Sequence, residues 1–147
     1  MFFLPNRIRF RTYQAGLMQA KAYRALTNYM TISLAPHDLS LPEWALLGLL
    51  RDHGKMRPSD LSDHLGVKRP VVTASLKRLE SLDMVERHPD KDDSRVVDIA
   101  LSQHGQVQVD SIEKILRVEM RAYLKDIKFT DLLIYISVLN KLADKQQ

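Results

Sequence analysis

Apolar residues step along the first quarter of the chain by roughly three and four: Ile8, Phe10, Tyr13, Leu17, Ala20, Tyr23, Leu26, Met30 and Ile32. That is the helical period, and residues 6–33 hold no proline and one glycine, so the pattern predicts one long first helix. Ala35-Pro36-His37-Asp38 ends it. Ser40-Leu41-Pro42-Glu43 then predicts a helix start, with a capping Ser, Glu three residues on and Pro in the first turn. Residues 44–50 are densely apolar and read as a buried second helix that closes at His53-Gly54. Residues 58–65 predict a short third helix stopped by Gly66, and residues 68–82 a fourth with Pro70 in its first turn.

At Met84 the period changes. Val85-Glu86-Arg87-His88 and Val96-Val97-Asp98-Ile99-Ala100-Leu101 are β-rich runs around a polar Pro89-Asp90-Lys91-Asp92-Asp93-Ser94-Arg95, which predicts a β-hairpin with a charged tip. Ser102 caps a fifth helix reaching about residue 125, with Val109, Ile112, Leu116, Met120 and Tyr123 on one stripe. Thr130-Asp131 opens a sixth, carrying Leu132, Leu133, Ile136, Leu139 and Leu142. The fold class is therefore mainly α (α+β). Two short helices joined by a Gly turn and followed at once by a hairpin make a winged helix-turn-helix.

The terminal helices carry more apolar stripe than one small unit can cover. We expect one domain of 147 residues, in which 40–101 form the winged helix while 1–36 and 102–147 supply dimerisation helices. Leu17, Leu116, Leu133, Ile136 and Leu139 are the expected seam of a homodimer.

Composition narrows the classes. Hydrophobic residues at 45% beside 27% charged residues are globular and exclude a disordered chain. A net charge of +4 fits an anionic partner. The absence of cysteine removes disulfides, thiol nucleophiles and Cys-based zinc sites, and suits the cytoplasm. The apolar start, Met1-Phe2-Phe3-Leu4, stops at Pro5 with its charges behind it, unlike a signal peptide. No run approaches the roughly 18 apolar residues of a membrane span, so no membrane association is expected.

The predicted fourth helix carries the candidate chemistry. Leu61, Leu65, Val67, Val72, Leu76 and Leu79 have the spacing to pack it on the third helix, which turns Arg69, Pro70, Thr73, Ala74 and Lys77 outward with Lys68 and Arg78 at the flanks. Residues 68–79 contain no acid, as a surface meeting phosphates requires. Ser59 adds a hydroxyl beside Pro58, and Arg95 stands at the tip of the hairpin, in position to reach a minor groove. Double-stranded DNA is the expected partner. The alternative, a winged-helix module that binds protein, calls for an acidic or apolar fourth-helix face.

Other chemistries have less support. His37, His53, His64, His88 and His104 lie on different elements and lack metal-site spacing on one helix, so no metal or cofactor is expected. Asp90, Asp92 and Asp93 lack the Gly and Glu of a calcium loop. No nucleophile–base pair or phosphate-binding glycine loop appears, and no enzyme activity is expected. Tyr13, Tyr23, Tyr29 and Trp44 could line a small-molecule pocket or fill the core and seam; residue type leaves both open.

Asp90-Lys91-Asp92-Asp93-Ser94-Arg95, five residues, then Leu101-Ser102-Gln103-His104-Gly105 resembles the MarR (multiple antibiotic resistance regulator) family pattern Asp-x-Arg-Asp-x-Arg, five residues, Leu-Thr-x-x-Gly. Leu-Gly-Val at 65–67 and Val-Glu-Arg at 85–87 are similar to the same family. The resemblance implies a homodimer on a palindromic operator, commonly a repressor released by a small aromatic or anionic effector. It implies that Asp90 and Asp93 belong to the wing. The chain departs from the pattern at Asp92, which stands where an Arg is usual, and at Asp83, which replaces a common Gly. Arg57 and Lys68 take the place of capping Ser or Thr.

Overall fold

A computed structural model describes residues 11–146. Six helices and one two-stranded antiparallel sheet follow in the expected order: α1 Thr12–Leu34, α2 Leu41–His53, α3 Pro58–Leu65, α4 Arg69–Ser81, β1 Val85–Pro89, β2 Val97–Leu101, α5 Gln103–Tyr123 and α6 Phe129–Ala143. The fold is a winged helix-turn-helix with long terminal helices. The expected start of α1 near residue 6 lies outside the described residues. The sixth helix begins one residue earlier than expected, at Phe129, with Lys128 as its cap.

Local chemistry explains most boundaries. Ser40 Oγ accepts the Glu43 N–H while Glu43 Oε2 accepts the Ser40 N–H, a reciprocal cap that starts α2. A left-handed residue closes α3 at Gly66 (φ 63°), where glycine carries no steric penalty. Asp83 (φ 55°) takes the same conformation just beyond α4, which Asp tolerates better than most residues.

The chain divides into two compact units, one ending at Val109 and one beginning at Asp110, so the division falls inside α5. In the first unit, Leu46, Leu47 and Leu50 of α2, Leu61 of α3, and Val72, Leu76 and Leu79 of α4 are buried with Val85 and Ile99 from the sheet. Leu65 and Val67, expected in this core, are half-buried. Fully burying such a side chain contributes about 1.5–3 kcal/mol, and these residues fix α4 through one face only.

The sheet is short but well rooted. Val85 pairs with Leu101 and Pro89 with Val97. On its other edge, Ile99 exchanges two backbone hydrogen bonds with Met56 (2.9 and 2.8 Å), which ties the α2–α3 connection to the wing. In the second unit, Ile112 and Leu116 are buried, whereas α6 contains no buried residue.

Candidate nucleic-acid interface

The face of α4 opposite the core is exposed along its length. Lys68, Arg69, Pro70, Thr73, Ala74 and Lys77 all lie on it in the open. Lys68 stands at the N-cap without a side-chain hydrogen bond, and the first turn carries no acid. The start of α4 therefore keeps the partial positive charge of its free N–H groups, beside two cations. The Thr73 hydroxyl donates to the Arg69 carbonyl (3.0 Å), which orients its methyl group and leaves its lone pairs outward. Ser59 is half-buried in the first turn of α3.

Ion pairing sorts the cations. Among the described residues no ion pair holds Lys68, Arg69, Lys77 or Arg95. Arg87 is committed to Glu80, through a short contact from Nε and a second of 3.3 Å from Nη2. Arg57 stands 4.0 Å from Asp98.

Arg78 was expected among the phosphate contacts, and its position differs from that expectation. Nη1 donates to Glu43 Oε2 (2.8 Å), and Nη2 donates to the Asp38 carbonyl (2.8 Å) and pairs with Asp38 Oδ2 (2.9 Å). Both ends of the guanidinium fork are occupied, and the Glu43 side chain is only 6% exposed. Burial pushes the Glu43 carboxyl up, but the hydrogen bonds from Ser40 and Arg78 outweigh it and hold the group below the ordinary carboxylate range. The spacing of residues 68–79 contained no hint of this cluster, because its acids lie 35 and 40 residues away.

The wing tip is built by its acids. Asp90 Oδ1 accepts the N–H groups of Asp92 (2.8 Å) and Asp93 (3.2 Å), and these bonds hold its carboxyl below the ordinary range. Asp93 Oδ1 accepts the Arg95 N–H (3.0 Å), and Asp90 N–H to the Val96 carbonyl (2.8 Å) closes the loop. Asp90 and Asp93 thus bind backbone and leave the Arg95 guanidinium to solvent. Asp92 is exposed beside them.

The wing base explains the Ser-x-x-Gly stretch. Ser102 Oγ donates to the Asp83 carbonyl (2.5 Å) and accepts the Gly105 N–H (2.8 Å), while the Ser102 N–H reaches the Met84 carbonyl (3.1 Å). One hydroxyl ties the end of α4 to the start of α5.

The residues expected at a dimer seam divide. Leu17 (55% exposed), Leu133 (51%) and Ile136 (52%) lie open in the single chain, and Leu139 is half-buried. Leu116 is 5% exposed already and has almost no area left to bury; helical spacing could not separate it from Leu17. Tyr13 and Tyr23 are exposed, while Tyr29 and Trp44 are half-buried, so none of these aromatics belongs to the core. Of the five histidines the fold brings two rings together, His53 and His64, with centroids 5.4 Å apart. Among the described residues no group of three or more His, Asp or Glu side chains is placed to hold a metal, and no helix is long and apolar enough to cross a membrane.

Comparison with known proteins finds the same fold. Residues 37–96 match the model of the MarR family. The HTH-type transcriptional regulator FarR of Neisseria gonorrhoeae is 27% identical over 135 residues, covering 84% of this chain and 91% of FarR. The crystal structure of transcriptional regulator PA4135 superposes with a TM-score of 0.80 at 26% identity, over 88% of this chain and 95% of that one. A mutant MarR from E. coli, crystallised in complex with operator DNA, gives 0.77 at 21% identity over 86% and 91% of the two chains, a likeness of fold.

Proposed function

This chain belongs to the MarR family of DNA-binding transcription regulators, and on that premise we propose that it is a sequence-specific homodimeric repressor of a palindromic operator. The observation that carries the reading is the outward face of α4, where Arg69, Thr73, Ala74 and Lys77 are exposed and the cations unpaired, with the free Arg95 on the wing beyond it. Arg69, Lys68, Lys77 and the Ser59 hydroxyl meet phosphates, which position the protein without specifying sequence. Thr73 and Ala74, small and mid-helix, face base edges in the major groove, where a methyl group can read thymine. Arg95 enters the minor groove. Residues 40–101 form the DNA-binding part.

The dimer rests on the exposed apolar residues of α1, α5 and α6, which lie within the expected dimerisation segments 1–36 and 102–147. Isolated chains seldom leave such stripes in water, and a second copy is the partner that a two-fold operator calls for. Half-sites then lie about one helical turn apart, ~10 bp centre to centre. Release by a small aromatic or anionic effector follows from the family resemblance, and no residue is assigned to it. We place the protein in the cytoplasm and give it no catalytic role.

Selection of bound sequences from a random duplex library, with sedimentation of the protein alone, tests this reading. A recovered palindrome and a dimer are expected. No duplex binding at micromolar protein and low salt would instead favour the protein-binding module.

A further inference from the structure

We propose that Arg78 is a positioning residue: pinned by Glu43 and Asp38, it fixes the C-terminal end of α4 against the junction of α1 and α2 and so sets the angle at which the recognition face meets DNA. The proposal rests on the DNA-binding reading above and assigns Arg78 a task away from DNA.

The acceptors are in place without Arg78. Glu43 is held in the first turn of α2 by the reciprocal cap with Ser40. Asp38 sits at the end of a short 3-10 turn, Ala35–His37, in a left-handed conformation (φ 55°) that its N–H bond to the Ala35 carbonyl closes (3.1 Å). The turn directs the Asp38 carbonyl and carboxylate toward one guanidinium nitrogen while Glu43 takes the other. A planar fork with donors on two sides suits such a pair of acceptors; a lysine would satisfy one of them.

Moving Arg78 to a phosphate would abandon Glu43, a carboxylate that burial makes costly to leave unpaired. The contact is therefore kept when DNA binds. Its leverage comes from length: α4 has 13 residues and so spans ~20 Å. A tilt of about 3° at one end displaces the other by about 1 Å, enough to spoil a hydrogen bond whose useful range is about half an ångström. Burial of Val72, Leu76 and Leu79 fixes the depth of α4, and the Arg78 fork fixes its tilt.

The test compares the wild type with Arg78→Ala, Glu43→Gln, the double variant, and Asp38→Asn. Affinities for the selected operator and for random duplex are measured across salt, at a temperature where circular dichroism shows each protein folded. Asp38 is 82% exposed and Asn tolerates the left-handed turn, so that variant retains the fold. Arg78→Ala and Glu43→Gln should each weaken operator binding roughly tenfold, with the double variant no worse than either, as members of one network behave. Asp38→Asn should give a smaller loss of the same kind. Random-duplex affinity should change less than about twofold, and the salt slope should stay as in the wild type.

A slope reduced by about 0.9 per chain in Arg78→Ala, with Glu43→Gln binding normally, would make Arg78 a phosphate contact and overturn the proposal. Lowered melting temperatures with unchanged operator affinity would overturn it too, leaving a structural pair. If the wild type binds no duplex, the DNA reading fails and this proposal with it; if it binds and the variants bind equally, only this proposal fails.

Discussion

A Cβ placed on Gly105 would lie 1.9 Å from the carbonyl oxygen of Met84, a separation no side chain can occupy. Gly105 is thus required by close approach, since it sits inside a helix and has no unusual backbone angle to accommodate. Neither backbone can yield cheaply, because the Met84 carbonyl also accepts the Ser102 N–H at the root of the wing.

Gly105→Ala is accordingly expected to cost about 3 kcal/mol, the upper end of ordinary overpacking, read from denaturant midpoints. A variant within about 0.5 kcal/mol of wild type would show that the two backbones can part freely.

Salt dependence tests the unpaired cations. If Lys68, Arg69 and Lys77 of both chains meet phosphates and Arg95 lies in the minor groove between them, log K should fall steeply with log salt, by about 0.9 per phosphate neutralised. Arg69→Ala should flatten that slope and weaken operator and random duplex alike. Thr73 or Ala74 variants should change which operator is preferred and keep the slope. A nearly flat wild-type dependence contradicts the assignment of all four.

The wing separates two roles of neighbouring residues. Arg95→Ala should weaken operator binding by roughly 1–3 kcal/mol, the scale of one lost specific contact, and leave the melting temperature unchanged, because the guanidinium is unpaired. Asp92→Arg should strengthen binding to all DNA and narrow the gap between operator and random sequence, since added phosphate attraction carries no sequence information. Unchanged affinity in Arg95→Ala would remove the wing from the interface.

For the dimer, Leu133→Glu puts a charge where an apolar contact is proposed. Sedimentation should show monomer or aggregate, with operator affinity reduced by at least about a hundredfold as two-fold binding is lost. A compact monomer with full affinity for a palindrome would displace α6 from the seam.

Acid should expose the Glu43 pairing. Its carboxyl titrates below the unfolded value of about 4.3, so its stabilisation is complete above that value and is lost as the pH falls through the folded one. Melting temperature should decline below about pH 4.5, and less steeply in Glu43→Gln. Asp90, lowered by the N–H groups of Asp92 and Asp93, contributes its own decline in both proteins. Identical profiles would mean that Glu43 is unpaired in solution.

Nearly every element was legible in the residue order because its boundary chemistry is local. The Ser40–Glu43 box, the Gly66 turn, the left-handed Asp83 and the Ser102 cap each depend on residues a few positions apart. The exposed face of α4 was legible for the same reason, since helical spacing decides which side is left over. What escaped depends on distant segments. No spacing pairs Arg78 with Asp38 and Glu43, joins Met56 to Ile99, or separates the buried Leu116 from the open Leu17.

The Met56–Ile99 pairing gives the hairpin the mechanics of a cantilever. Its second strand is held on both edges, by Met56 on one side and β1 on the other, while the loop from Asp90 to Val96 is shaped by its own carboxylates. A clamped beam keeps its base fixed whatever is mounted at its end. Loops of other lengths and charges grafted between Pro89 and Val97 are therefore expected to leave α4 undisturbed, so that wing reach can change independently of the helix proposed to read the major groove.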